Sequence, residues 1–307
     1  MRLNIGHLST MYHTSFVLMG TGCLEKTLNI PVHWKLFGGG PAIVQALAKG
    51  EVDLGYIGLP PVIIGIDKGV PIKCVGGGHV EGTVLMAKDD FKSLEDLKGN
   101  IDATLHQFKG KLIGSPPKGS IHDVIIRNLI KEKGLEKEII VKNFEWADFI
   151  PEAMIDDEID AAVGTPLLAV ATHRACNAKI IIPPNKLWQN NPSYGIIVKQ
   201  DLIEHYPDLI VEFLKLHEKT SNFIRRKPNK AAKITSNVVK VVDEDFITQA
   251  YNISFKYCAS LSKEFINSTL KFLQVLYELK YISKILTEKD IFDTRFIKKI
   301  HPEPPHY

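Results

Sequence analysis

Short apolar runs alternate with stretches of helical period along the first two thirds of the chain. Leu3 to Gly6 has the composition of a β-strand, His7 to Thr14 is a polar loop, and Ser15 to Gly22 is an apolar helix. A second strand, Val32 to Phe37, enters the run Gly38-Gly39-Gly40-Pro41, so the chain opens as a βαβ unit. Gly40 suits a helix cap and Pro41 a first turn; Ile43, Val44 and Leu47 make one apolar stripe, and Gly50 ends the helix. Val52 to Ile57 reads as a short buried strand closed by the turn Gly58-Leu59-Pro60-Pro61. Leu112-Ile113-Gly114 is a further strand and Ser115-Pro116-Pro117-Lys118-Gly119 a tight loop. Ser120 caps the helix that follows, with Asp123 at its third residue and a stop at Gly134. After the strand Tyr194 to Val198, the pattern from Asp201 to about Ile282 is almost entirely helical. The ending His301-Pro302-Glu303-Pro304-Pro305-His306-Tyr307 is proline-rich and expected to be loose.

One unit recurs. Glu51-Val52-Asp53 leading to Gly58-Leu59-Pro60 is matched by Glu158-Ile159-Asp160 leading to Gly164-Thr165-Pro166. Each reads helix, Glu-apolar-Asp, strand, proline turn. The alternatives are convergence on a good connection or two similar α/β lobes, and two lobes is the preferred expectation.

Composition narrows the class. With 307 residues, 45% hydrophobic and 24% charged, the chain can bury a large core, and disorder is not expected. The net charge of +3 comes from 38 basic and 35 acidic residues spread along the chain, so there is no footprint for nucleic acid or an anionic membrane. Cys23, Cys74, Cys176 and Cys258 lie far apart, without metal-ligand or disulfide-framework spacing, and most of them read as buried thiols. No apolar run reaches the roughly 18 residues of a membrane span. No apolar signal region or lipoprotein cysteine precedes the first strand. Two locations stay open: a mature chain acting outside the cytoplasm, or a cytoplasmic protein.

The segments Glu51 to Pro61, Lys68 to Lys73, Ser93 to Gly99, Gly110 to Pro116, Gly119-Ser120, Tyr194 to Val198 and Tyr206 to Phe213 follow one another in an order and spacing that resembles the NMT1/THI5-like family. That family comprises receptors for nitrate, sulfonate, taurine or thiamin-precursor pyrimidines. The resemblance spans residues 1 to about 235; Leu105 to Lys109 departs from it as a small insertion. It implies a type II periplasmic-binding-protein fold: two α/β lobes joined by two crossover strands, with the ligand in the cleft. By analogy the crossovers fall near Thr83 to Lys88 and Tyr194 to Lys199. The first lobe is then 1–88 plus 195–307, and the second 89–194. The partners implied are a small-molecule ligand and an ABC transporter permease; a monomer without cofactor or nucleic acid is expected.

Open α/β sheets bind ligands beyond the carboxyl ends of their strands. The candidates in the first lobe are Ser9, Thr10, Tyr12 and His13, then Gly39 and Gly40, the turn Gly58-Leu59-Pro60, and His79. In the second they are Ser115, Lys118, Gly119 and Ser120, with Trp146 and Thr165. Helices starting at Gly40 and Ser120 aim free N–H groups into such a cleft, which suits an oxyanion, and Trp146 offers a stacking face for a planar ligand. No Gly-Lys-Ser/Thr follows the glycine run, so it is not a nucleotide P-loop. His7, His13, His79 and His122 lie in or beside the same loops, with metal binding a minor expectation. An enzyme on the same fold, synthase-like or desulfinase-like, is the rival, as is a cytoplasmic sensor. The synthase's cysteine-rich run is absent, and no arginine occurs between Arg2 and Arg127.

Overall fold

The computed structural model describes residues 2–307, in which ten strands form two five-stranded sheets. The first sheet holds β1 (Leu3–Leu8), β2 (Val32–Phe37), β3 (Leu54–Ile57), β4 (Ile72–Val80) and β10 (Pro192–Lys199), ordered β2-β1-β3-β10-β4. The second holds β5 (Val84–Ala87), β6 (Leu112–Ser115), β7 (Ile140–Asn143), β8 (Ala161–Gly164) and β9 (Lys179–Ile182), ordered β7-β6-β8-β5-β9. In each, three parallel strands are followed by one antiparallel strand that arrives from the other half of the chain. The strands β3 and β8 are buried along their whole length, as expected of strands covered on both faces.

The recurring unit has a structural meaning. Asp53, just before β3, accepts the backbone N–H of Asn4 at 2.9 Å and donates its own N–H to the Asn4 carbonyl at 2.8 Å. Asp160, just before β8, accepts the N–H of Leu112 at 2.8 Å and donates to the Leu112 carbonyl at 2.9 Å. Both aspartates set the register of the third parallel strand against the first, and both strands then end in a helix-starting proline turn.

The boundary drawn at residue 88 puts β5 in the first lobe, whereas its ladder partners are β8 and β9 of the second sheet. The chain turns earlier, at Glu81-Gly82-Thr83. Glu81 has a φ of 61°, and a side chain on Gly82 would lie 2.1 Å from Ser193 Oγ. The return passes through Gln189 to Asn191, and the two crossings are tied together. Glu81 donates its N–H to the Asn191 carbonyl at 2.8 Å and accepts the Asn190 N–H on its carboxylate at 3.0 Å. Lys256 pairs with the other carboxylate oxygen at 2.7 Å. We therefore divide the chain at 81–83 and 189–191.

The helices Pro207–Arg226, Pro228–Val239, Glu244–Ile253 and Lys263–Glu278 make up the C-terminal part. Their apolar faces are well separated from charge, and Lys263–Glu278 buries Phe265, Phe272 and Leu276 in a core shared with Ile63 of one lobe and Val124 and Ile125 of the other. Phe272 stacks on Trp188 at 4.1 Å. The extra residues after Leu105 complete the helix Ile101–His106 and a turn that buries Phe108 against Phe91 at 4.9 Å. The proline-rich ending, expected to be loose, packs instead: His301 is 4% exposed and the Tyr307 hydroxyl lies 3.3 Å from Ser262 Oγ. Among the described residues no helix is long and apolar enough to cross a membrane.

Candidate functional site

Every parallel strand that ends toward the gap between the sheets is followed by a turn, and five of those turns start helices. His13, Gly39, Gly58, Ser120 and Thr165 are the N-caps of Thr14–Thr21, Gly40–Ala48, Leu59–Asp67, Ile121–Glu132 and Pro166–Cys176. All five line one cavity of about 50 Å³ between the lobes. Prolines occupy the first turn of three of these helices, where an N–H has no intrahelical partner to lose. Ser120 Oγ accepts the N–H of Asp123 at 3.3 Å and Thr165 Oγ1 that of Leu168 at 3.2 Å; Gly39, Gly58 and His13 supply no side-chain cap. Five positive dipole ends thus converge on the cavity, and among the described residues no Asp, Glu, Lys or Arg lines it.

The lobes meet around this cavity. Ser9 Oγ donates to Asp148 Oδ2 at 3.1 Å. A Cβ on Gly38 would lie 2.6 Å from the Glu145 carbonyl oxygen and 3.0 Å from the Trp146 ring, and one on Gly39 would lie 2.7 Å from Pro117. Only a bare backbone allows this approach. On the second lobe, the turn before Ser120 is held by the wholly buried Asp123. Its carboxylate accepts the Gly119 N–H at 2.9 Å, Arg127 Nε at 2.7 Å, Asn143 Nδ2 at 2.9 Å and the Tyr281 hydroxyl at 2.6 Å. Gly119 itself sits at a φ of 80°, a conformation glycine adopts without a steric penalty.

The polar side chains in the wall are neutral. Burial, reinforced by the nearby His79, His7, His217 and His122, holds the His13 imidazole well below its ordinary range. Burial likewise pushes His122 down to about 4. His122 Nδ1 contacts Thr83 Oγ1 at 3.0 Å, which leaves Nε2 for the cavity. His13 Nδ1 is buried without a protein partner, although buried polar atoms are normally satisfied. The Tyr12 hydroxyl bonds Ser193 Oγ at 2.8 Å, and its phenol is pushed up by burial.

Of the residues singled out in the sequence, Ser9, Thr10, Tyr12, His13, Gly39, Gly40, Gly58, Ser120 and Thr165 line the cavity. Leu59 and Pro60 are buried in the core behind Gly58. His79 lies outside the lining, between the rings of Tyr12 at 5.0 Å and Tyr257 at 4.7 Å, with Nε2–H donating to the Ser254 carbonyl at 3.0 Å. Ser115 is wholly buried at the end of β6. Lys118 and Gly119 line a separate groove, where the Lys118 ammonium stands 5.9 Å from the centre of the Tyr281 ring. Trp146 lies against Gly38 rather than facing the cavity. Sequence reasoning did not single out Ser193, Pro116, Ile121 or Ala147, which also line it. Ser193 was within reach, because it directly precedes the returning strand recognised from Tyr194.

Two α/β lobes of one topology, with a cleft at the carboxyl ends of their parallel strands, define the type II periplasmic-binding-protein fold. A model of the NMT1-like family matches residues 1–239, and the chain belongs to that family. A putative aliphatic sulfonates-binding protein of Bacillus subtilis is 24% identical over 274 residues, covering 88% of this chain and 78% of that one. The alkanesulfonate-binding protein of Xanthomonas axonopodis superposes with a TM-score of 0.80 at 16% identity, over 95% of this chain and 98% of that one. The periplasmic nitrate-binding protein of Synechocystis superposes at 0.78 and 12% identity, over 98% and 88%.

Proposed function

We propose that the protein is a solute-binding receptor that closes its lobes over the head group of a small oxyanion, of the sulfonate or nitrate class, and presents it to an ABC importer outside the cytoplasm. The observation that carries this reading is the convergence of five helix N-termini from both lobes on one cavity without a charged side chain. An anion there meets N–H groups and hydroxyls, and no carboxylate is among the lining residues. Each dipole end contributes about 0.3 to 1 kcal/mol when exposed and up to about 2 when partly buried. Five together contribute about 1.5 to 5 kcal/mol when exposed and at most about 10 when partly buried, against the roughly 8 kcal/mol of micromolar binding, so hydroxyl contacts must share the load. The names of the related proteins describe sulfonate and nitrate binding, which agrees with this chemistry.

A planar heterocycle fits less well. The cavity in this structure measures about 50 Å³, whereas benzene occupies an apolar cavity of about 150 Å³. Thermal unfolding in the presence of nitrate, methanesulfonate, taurine and an aminopyrimidine tests the reading, because a ligand stabilises the fold according to its affinity. At least one oxyanion should raise the melting temperature and be recovered chemically unchanged. A shift with the pyrimidine alone, or conversion of the ligand, would replace this function with the heterocycle or the enzyme alternative.

A further inference from the structure

Outside the lining of the cleft, Cys258, His301 and His306 bring three metal-ligating atoms together. Cys258 Sγ lies 3.2 Å from His301 Nε2 and 3.4 Å from His306 Nδ1, and the two nitrogens are 3.0 Å apart. Cys258 is 1% exposed and His301 4%; His306 is exposed. We infer that these three residues form a binding site for one zinc-class divalent ion, a site independent of the oxyanion cleft.

The geometry fits a tetrahedral ion. Metal–sulfur and metal–nitrogen bonds of about 2.3 Å and 2.05 Å separate neighbouring ligands by about 3.6 Å for sulfur–nitrogen and about 3.3 Å for nitrogen–nitrogen. The observed spacings are shorter by about 0.2 to 0.4 Å, an expansion that small side-chain rotations supply. The tautomer is set as well. His301 Nδ1 lies 3.0 Å from the Glu303 carbonyl, which can only accept, so Nδ1 carries the hydrogen and Nε2 presents its lone pair to the cluster. Glu303 Oε1 lies 3.8 Å from the same Nε2. One thiolate and two imidazoles select zinc or cobalt over magnesium or calcium. Binding replaces the thiol hydrogen of Cys258 with the ion, releasing one proton to solvent.

Such an ion would fasten the C-terminal segment to the sheet. The Cys258 N–H donates to the Gly78 carbonyl of β4 at 3.1 Å, and Gly77 N–H donates to the Ala259 carbonyl at 2.8 Å. β4 runs directly into the first crossing between the lobes. The ion would therefore brace the fixed side of the hinge.

Cobalt titration of the full chain in metal-free buffer tests the site. One equivalent should give tetrahedral ligand-field absorption together with thiolate-to-cobalt charge transfer, and zinc should displace both. Cys258→Ser should abolish the charge-transfer band, and His306→Ala should weaken cobalt binding at least tenfold while leaving the far-ultraviolet circular dichroism unchanged. The absence of a charge-transfer band overturns the inference, as does a band that survives Cys258→Ser and so arises from Cys23 or Cys176. If Cys258→Ser fails to fold, His306→Ala decides: an unchanged cobalt spectrum and affinity in that variant also overturn it.

Discussion

Replacing Gly38 with alanine should leave the protein folded but impair ligand capture. Gly38 is not among the residues at positive φ, so its own backbone accepts a side chain. The obstacle is across the cleft, where the new Cβ would meet the Glu145 carbonyl oxygen at 2.6 Å and two ring atoms of Trp146 at 3.0 Å. Carbon–oxygen contacts settle at about 3.3 Å or more, so the closed lobes must separate by about 0.7 Å or distort. Overpacking of this kind costs about 1 to 3 kcal/mol. On the proposed function, in which ligand capture brings the lobes together, this cost falls on the bound state and lowers affinity by about 5-fold to about 150-fold. Isothermal titration with the tightest oxyanion of the panel measures the loss, and small-angle scattering shows whether the variant still contracts on binding. The ligand-free melting temperature should stay near that of the parent protein. Wild-type affinity in Gly38→Ala would mean that the bound state does not bring these lobes together at this point, and the closure argument would fail.

Other consequences concern stability. Burial holds His79, His122 and His217 at about 4, against an ordinary value of about 6.5. Between those values the unfolded chain binds more protons than the folded one, so stability is complete above about pH 6.5 and falls as the pH drops toward 4, by about 1.4 kcal/mol per unit for each fully contributing histidine. Urea midpoints at about pH 7 and pH 5 should therefore differ clearly, and coincident midpoints would contradict the buried-neutral assignment. Ser120→Ala removes a helix cap and should cost about 0.5 to 2 kcal/mol in denaturant unfolding, together with a separate loss of oxyanion affinity. If only stability changes, the hydroxyl is structural. Asp123→Ala leaves Arg127 without its buried partner and releases the Gly119 and Tyr281 contacts, so it should destabilise by about 3 to 5 kcal/mol; a change under about 1 kcal/mol would show that this network does not hold the turn.

The elements governed by local pattern were readable in the sequence: strands with continuous apolar runs, the Ser120 cap, and the proline turns after Gly58 and Gly164. The recurring Glu-apolar-Asp unit announced two lobes, and the structure shows its purpose in the paired roles of Asp53 and Asp160. The crossing was harder to place, since β5 is as apolar in the second sheet as it would be in the first, and only its ladder partners reveal its lobe. Side-chain direction was not readable either. Lys118 and Ser120 stand two residues apart, yet a turn with Gly119 at positive φ sends one to the Tyr281 groove and the other to the cleft. The cluster of Cys258 with His301 and His306 was hidden by sequence separation and by a proline-rich ending that reads as loose but packs.

The most direct test of the account is a crystal structure grown with the tightest-binding oxyanion of the panel. The anion's oxygens should lie within about 3.2 Å of backbone N–H groups at the starts of the helices after Gly39 and Ser120, with both lobes in contact with it. An anion bound instead to lysines or arginines outside the cleft, or a cleft filled only by water at saturating ligand, would contradict the account.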